Sequence, residues 1–329
     1  MPTPVYIAAG LKKSFSGNPF AQNYVLRGID LTVQQGAVVG LLGQNGSGKS
    51  TLLKCSLGLL RPSAGQVTVL DEDGWDLSAE AKSRIGYVPQ EVVSYPWMLA
   101  RQVIEYTAAF YPRWNQPLVD ELCRRWRLPL EERVAALSTG QLQTLGIVLA
   151  LGHEPELLIL DEPVASLDPV ARRQFLRTLL EIVADRRRTV IFSTHITSDL
   201  ERVATRVAML RDGVIGLDGE MDELKDRVKR LHLAAAAPLP KDLAVPGALA
   251  VEIDGAEASI TLANFDSSIV DQLRVAWNAD VTVQDLNLEE MFIAVHEHCG
   301  GAAPSVANAN NVKSAESDDS RNVPEIDCP

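Results

Sequence analysis

Gly43-Gln44-Asn45-Gly46-Ser47-Gly48-Lys49-Ser50-Thr51 sets glycines, a lysine and two hydroxyls at the spacing that phosphate chemistry needs. The apolar run Val38–Leu42 precedes it and Leu52, Leu53, Leu57 and Leu60 follow, which reads as buried strand, glycine-rich loop and helix. Gly43, Gly46 and Gly48 leave room for backbone N–H groups to reach an anion, alongside Asn45, Ser47 and Thr51, and the helix N-terminus adds its partial positive charge. Lys49 is expected to reach the β- and γ-phosphates and the Ser50 hydroxyl to ligate Mg²⁺. A plain glycine turn closing an αβ unit would not need Lys-Ser at this spacing. The loop therefore implies binding of a nucleoside triphosphate.

Two carboxylates, Asp161 and Glu162, end the continuous apolar run Leu157–Leu160. A buried strand seldom ends in two acids unless a cation lies near. Asp161 is expected to hold Mg²⁺ through its coordinated water, and Glu162 to act as general base on the attacking water. His195 ends the strand from Thr189, within reach of a γ-phosphate, although a lone histidine is more often structural. An exposed aromatic ahead of the loop can stack on a purine, and Phe15, Phe20 and Tyr24 are the candidates; for any one of them a sheet contact is the plainer reading.

The elements needed to position these residues follow from patterning. Val5–Ser14 and Tyr24–Val33 read as strands around the turn 16–19, Gln66–Leu70 and Ile85–Val88 as further strands, and 100–111, 116–126 and 142–151 as a helical insert. Strands alternating with helices imply a mostly parallel, helix-covered sheet, whose ligands bind at the carboxyl ends of the strands; Gly43, Gln90, Asp161 and His195 all fall there. Asp212-Gly213 marks a hairpin between Val207–Arg211 and Val214–Leu217. Beyond it, 221–231 reads as helix, 234–240 as a break, and 249–253, 259–262 and 280–283 as strands of a small unit closed by the helix 288–295. From Gly300 the chain is rich in Ala, Asn, Ser and acids, which predicts disorder.

With 329 residues, 46% hydrophobic, the chain can build one large or two modest domains. A net charge of −12 argues against broad binding to nucleic acid or anionic lipid by bulk electrostatics; Arg186-Arg187-Arg188 reads as a solvated helix end. Cys55, Cys123, Cys299 and Cys328 form no disulfide or CxxC pattern, which fits a reducing cytosol. His296-Glu297-His298-Cys299 has no second cluster to complete a metal site and reads as a solvated helix end. No signal peptide is visible, and no apolar run approaches the roughly 18 residues that span a bilayer.

Leu137-Ser138-Thr139-Gly140-Gln141, lying between the phosphate loop and Asp161, resembles the LSGGQ signature of the ATP-binding cassette (ABC) ATPases, and the resemblance extends over Val5–Leu217. It implies an α/β fold: a P-loop NTPase core with a mostly parallel sheet, an antiparallel β subdomain and a helical insert, followed here by a small α+β C-terminal accessory domain. The implied division is 1–219 for the nucleotide-binding domain, with the helical subdomain at about 96–152, then 220–298 for the accessory domain and 299–329 for a disordered tail. By the same resemblance Gln90 is the Q-loop glutamine and a third Mg²⁺ ligand beside Ser50 and Asp161. Glu162, His195 and Gln90 form the catalytic set, Ser166-Leu167-Asp168 the D-loop, and Phe15 the adenine-stacking aromatic. Thr139 departs from the usual glycine, Val164-Ala165 from the usual Thr-Ser or Thr-Asn, and the segment between Phe15 and Tyr24 is longer than usual.

In this family two cassettes pair head to tail, so Ser138, Thr139, Gly140 and Gln141 of one are expected to close over the ATP of the other. Phe110–Asn115, Ser193–Ile196 and Leu288–Phe292 resemble stand-alone bacterial ATPase subunits with a separate permease, many of them serving exporters. The resemblance thus implies ATP and Mg²⁺ as cofactors, a second ATPase subunit (a homodimer or a paralogue) and an integral-membrane permease as partners, no nucleic acid, and a cytoplasmic position at the inner face of the cell membrane. A soluble member acting on ribosomes or DNA would carry two cassettes or a long coiled-coil insertion, and neither is present. A non-hydrolysing member would lack Glu162 or His195.

Overall fold

In the computed structural model residues 3–15, 23–184, 188–240 and 242–297 are described. The turn 16–19, Phe20, Arg186-Arg187, His298, Cys299, Cys328 and the tail lie outside the described residues. The chain runs β1 (Pro4–Ser14), β2 (Tyr24–Gln34), β3 (Val38–Leu42), α1 (Lys49–Ser56), β4 (Ala64–Val69), β5 (Glu72–Asp73), α2 (Ala79–Ser83) and β6 (Ile85–Val88). Three helices follow, α3 (Ala100–Ala108), α4 (Gln116–Arg125) and α5 (Thr139–Leu151), before the chain returns through β7 (Leu157–Asp161), α6 (Pro169–Val183), β8 (Thr189–Thr194) and α7 (Thr197–Val203). β9 (Arg206–Arg211), β10 (Val214–Glu220), α8 (Met221–Arg227), β11 (Lys229–Ala235), β12 (Ala248–Asp254), β13 (Glu257–Leu262), α9 (Ser268–Trp277), β14 (Ala279–Asp285) and α10 (Leu288–Glu297) complete it.

The central sheet has the order β10-β9-β3-β8-β7-β6, parallel throughout except at the β9–β10 hairpin. Every residue of β3, β7 and β8 is buried, because both faces of the sheet are covered. Successive residues divide between two cores: Leu157 and Ile159 face the antiparallel sheet β2-β1-β4-β5, while Leu158 and Leu160 face the helices. Asp212 (φ 47°) and Gly213 (φ 78°) turn the β9–β10 hairpin with two left-handed residues. The crossovers bring the carboxyl ends of β3, β7 and β8 side by side, with Leu42 paired to Thr194 and Asp161 to Ser193.

A third sheet, β12-β13-β11-β14, is wholly antiparallel and has its own core, in which Leu231, Leu233, Ile260, Leu262 and Val281 meet Val270 and Leu273 of α9. Here the structure departs from the patterning. The helix expected over 221–231 stops at Arg227, and Ala234-Ala235, expected as a break, are the last rungs of β11. Leu231 and Leu233 alternate inward between two partner strands, and that tertiary burial outweighs the local helix propensity. α9 was not foreseen; of its scattered apolar residues only Val270 and Leu273 are buried. α8 and α10 pack into the helix-side core of the central sheet, where Leu224, Leu288, Met291 and Val295 join Leu200 and Met209.

Candidate functional site

The loop 43–48 leaves β3 and enters α1 with little room to spare. A Cβ on Gly43 would lie 2.5 Å from Ser47 Oγ and 2.6 Å from the Leu210 carbonyl, so only glycine fits there. Gly46 (φ 84°) and Gly48 (φ 110°) are left-handed, which turns successive N–H groups toward one concavity. No acid of the helix itself occupies the first turn of α1. Asn45 is exposed, Thr51 half-buried, and Ser47 buried with its hydroxyl unpartnered.

Lys49 is 5% exposed, and its Nζ donates to the carbonyls of Gly43 (2.7 Å) and Gln44 (3.1 Å). The same nitrogen lies 3.1 Å from Glu162 Oε1, and the other carboxylate oxygen of Glu162 lies 2.9 Å from His195 Nδ1. Glu162 is thus a nearly buried acid held between a lysine and an imidazole. It sits at φ +50°, a conformation that costs a non-glycine residue roughly 1–3 kcal/mol and is found chiefly at functional sites. Its backbone N–H donates to Ser193 Oγ (2.9 Å), which fixes the turn after β7.

Asp161 is fully buried. Its Oδ1 accepts from the hydroxyls of Ser50 (3.0 Å) and Ser193 (2.7 Å), and its Oδ2 has no protein partner. A buried carboxylate with one free oxygen beside a serine hydroxyl is a hard-oxygen donor set of the kind Mg²⁺ prefers when other ligands are water and phosphate. The nearby Tyr87 hydroxyl is pushed up to about 12, first by burial and then by the Asp161 charge. Ser193 was not anticipated as a site residue. It follows the apolar residues Val190–Phe192 of β8, and the only signal available was that a hydroxyl next to such a run needs a polar partner.

The remaining expected residues are placed as follows. Gln90 is exposed, two residues past β6, with no hydrogen bond to Ser50 or Asp161 among those described. Phe15 is 60% exposed at the end of β1, with Lys13 Nζ 5.0 Å from its ring centre. Ser138 caps α5 in a reciprocal arrangement: its Oγ accepts from Gln141 N (3.2 Å), and Gln141 Oε1 accepts from Ser138 N (2.8 Å). Ser138 and Thr139 face solvent, and a Cβ on Gly140 would lie 3.2 Å from the Ser166 carbonyl, so 138–141 and 166–168 are neighbours. Among the described residues no hydrogen bond or ion pair joins 138–141 to the 43–51 loop.

The family model for ABC transporters matches residues 26–165. The chain is 28% identical over 86% of its length to the ABC transporter ATP-binding protein YtrB of Bacillus subtilis, of which it covers 95%. It is 30% identical to the Nod factor export ATP-binding protein I of Bradyrhizobium diazoefficiens (86% of this chain, 94% of that one). With the aliphatic sulfonates import ATP-binding protein SsuB of Pseudomonas entomophila it shares 35% identity (69% and 84%). Among solved structures, an ATP-binding subunit of an ABC transporter superposes with a TM-score of 0.61 at 27% identity, over 68% of this chain and 92% of that one. A dimeric post-hydrolysis cassette bound to ADP and Pi shares the fold at 0.59 and 23% identity, over 65% and 98%.

Proposed function

The chain belongs to the ABC transporter ATP-binding family, and we infer that it hydrolyses ATP to drive a transporter whose membrane-spanning permease is a separate chain. The observation that carries this reading is the Glu162 carboxylate, buried between Lys49 and His195 and adjacent to the Asp161–Ser50 contact. Lys49 and the N–H groups of 43–51 bind the β- and γ-phosphates. Glu162 takes the proton of the attacking water, and His195, holding it through Nδ1, keeps Nε2 for the γ-phosphate. Ser50, Asp161 and Gln90 would hold Mg²⁺, which when bound neutralises charge on the phosphates. Phe15 stacks on the adenine.

Ser138–Gln141, at a solvent-facing helix N-terminus, would complete the donors around a γ-phosphate held by a second cassette, identical or paralogous. The dimeric post-hydrolysis cassette of the same fold supports such pairing. Tyr95, Trp97, Tyr106 and Phe110 form an exposed chain of rings with centroids 5.0–5.6 Å apart, a surface suited to a helix of the permease. No described helix is long and apolar enough to cross a membrane, which fits work at its cytoplasmic face beside a spanning partner. The relatives include an importer and an exporter; the motifs 110–115 and 288–292 favour export. The domain division that fits this role is 1–219 for the cassette, with its helical part at about 96–152, 220–298 for the accessory unit and 299–329 for a tail.

The test is phosphate release from Mg-ATP by the purified chain, set beside Lys49→Ala. Removing the cation should weaken nucleotide binding and abolish release. Wild-type affinity in the variant, or no release from the wild-type chain, would overturn the reading.

A further inference from the structure

His195 is 44% exposed, and its one described partner is Glu162. Little side-chain packing holds the imidazole, so its place depends on the backbone between Thr194, the end of β8, and Thr197, the start of α7. α7 has seven residues, too few to be stable on its own, and its seat must come from tertiary contacts. Two of these lie within the cassette. Leu200 is fully buried against β3, where a Cβ on Gly40 would come within 2.2 Å of its Cδ2. Asp199, also buried, accepts from Arg172 Nε (2.9 Å) and Nη2 (2.6 Å) on α6.

The third contact comes from the far end of the chain. Leu288 N, the first residue of α10, donates to Glu201 Oε1 on α7 (3.2 Å). Leu288 and Met291 are fully buried in the core that holds Leu200 and Val203. Near the other end of α10, Arg211 Nη1 donates to the Val295 carbonyl (2.6 Å), which ties the helix to the end of β9. α10 also packs on β12, so it joins the third sheet to α7, the helix that begins two residues after His195.

We propose that α10 braces α7, and that Glu201 and Met291 are positioning residues for hydrolysis that act through His195. The proposal rests on the hydrolytic reading above. It assigns the C-terminal segment a share in setting the turnover rate, with no part in nucleotide affinity.

The experiment compares full-length wild type with Glu201→Ala, Glu201→Gln, Met291→Ala, His195→Ala and the double variant Glu201→Ala/His195→Ala. It measures kcat and KM for phosphate release together with the thermal midpoint. A displacement of about 1 Å at a reacting group can cost on the order of 10²-fold, so Glu201→Ala and Met291→Ala should lower kcat by about tenfold to 10²-fold. KM should move by less than about twofold, because the phosphate loop is untouched. Glu201→Gln keeps an acceptor oxygen and should recover most of the rate. In the His195→Ala background Glu201→Ala should add nothing, since both act at one point. Should Met291→Ala fail to fold, Glu201→Ala decides, because its side chain is partly exposed. Full kcat in Glu201→Ala while His195→Ala is impaired, or losses that simply multiply, would overturn the brace alone. Wild-type turnover in His195→Ala would remove His195 from the chemistry and the brace with it while hydrolysis stands, whereas no phosphate release from the wild-type chain would sink the hydrolytic reading itself.

Discussion

Replacing Glu162 with Gln removes one charge from the Lys49–Glu162–His195 cluster and leaves its shape. The backbone tolerates the change, because Gln meets the same φ of +50° and the same N–H bond to Ser193 as Glu does. Lys49 loses a carboxylate at 3.1 Å but keeps the carbonyls of Gly43 and Gln44. Breaking a buried ion pair outright costs roughly 3–5 kcal/mol. With two acceptors retained, a loss of about 1–3 kcal/mol is the better figure, and a domain stable by roughly 5–15 kcal/mol survives it. Chemistry should suffer more. General-base assistance contributes roughly 10²–10⁴-fold, or about 2.7–5.5 kcal/mol of barrier. ATP binding should persist, and removing an acid near the triphosphate reduces repulsion. ATP is then retained between two cassettes, so the variant should elute as a dimer on size-exclusion chromatography with Mg²⁺ and ATP while phosphate release falls by that factor. Hydrolysis at the wild-type rate refutes Glu162 as the base. A variant that binds ATP yet stays monomeric refutes self-pairing and points to a paralogous second cassette.

Ser138→Arg removes the cap that Gln141 N now finds, at a cost of about 1 kcal/mol, so the chain should stay folded and bind ATP. Turnover should nonetheless stop, since a cation then stands where the facing γ-phosphate must dock; normal turnover counts against the composite site. Trp97→Ala, at a residue 67% exposed, should leave the thermal midpoint nearly unchanged while weakening capture of the permease, and a parallel loss of both would return the residue to a structural role. Burial lowers His153 from its ordinary 6.5. It is stacked 4.0 Å from Tyr111 with Nε2 placed 3.1 Å from the Ile85 carbonyl. The unfolded chain therefore takes up the proton first, and stability present above about pH 6.5 is lost as pH falls below it. Thermal melts between about pH 7 and pH 5 should show that loss shrinking in His153→Gln; an unchanged slope assigns the acid sensitivity elsewhere.

What could be read ahead of the structure was chemistry written in consecutive residues. A phosphate loop is local: Gly43, Gly48, Lys49 and Ser50 must follow one another between a strand and a helix, and the buried run Leu157–Leu160 announces its own carboxyl end at Asp161. The pairings across the sheet were not local. Ser193 serves Asp161 and Glu162 only because β8 lies beside β7, and a hydroxyl in an apolar strand names no partner. The same limit explains β11, whose Leu231 and Leu233 repeat at two residues just after a strong helical stretch, so that only its place between β13 and β14 decides the conformation. It also explains α10. The apolar residues Leu288, Met291 and Val295 mark a buried face at helical spacing, but any core would satisfy that spacing. That they enter the core beneath α7, with Leu288 N on Glu201, ties the last described helix to the loop holding His195. A residue more than ninety positions beyond His195 can in this way bear on the step that the phosphate loop prepares.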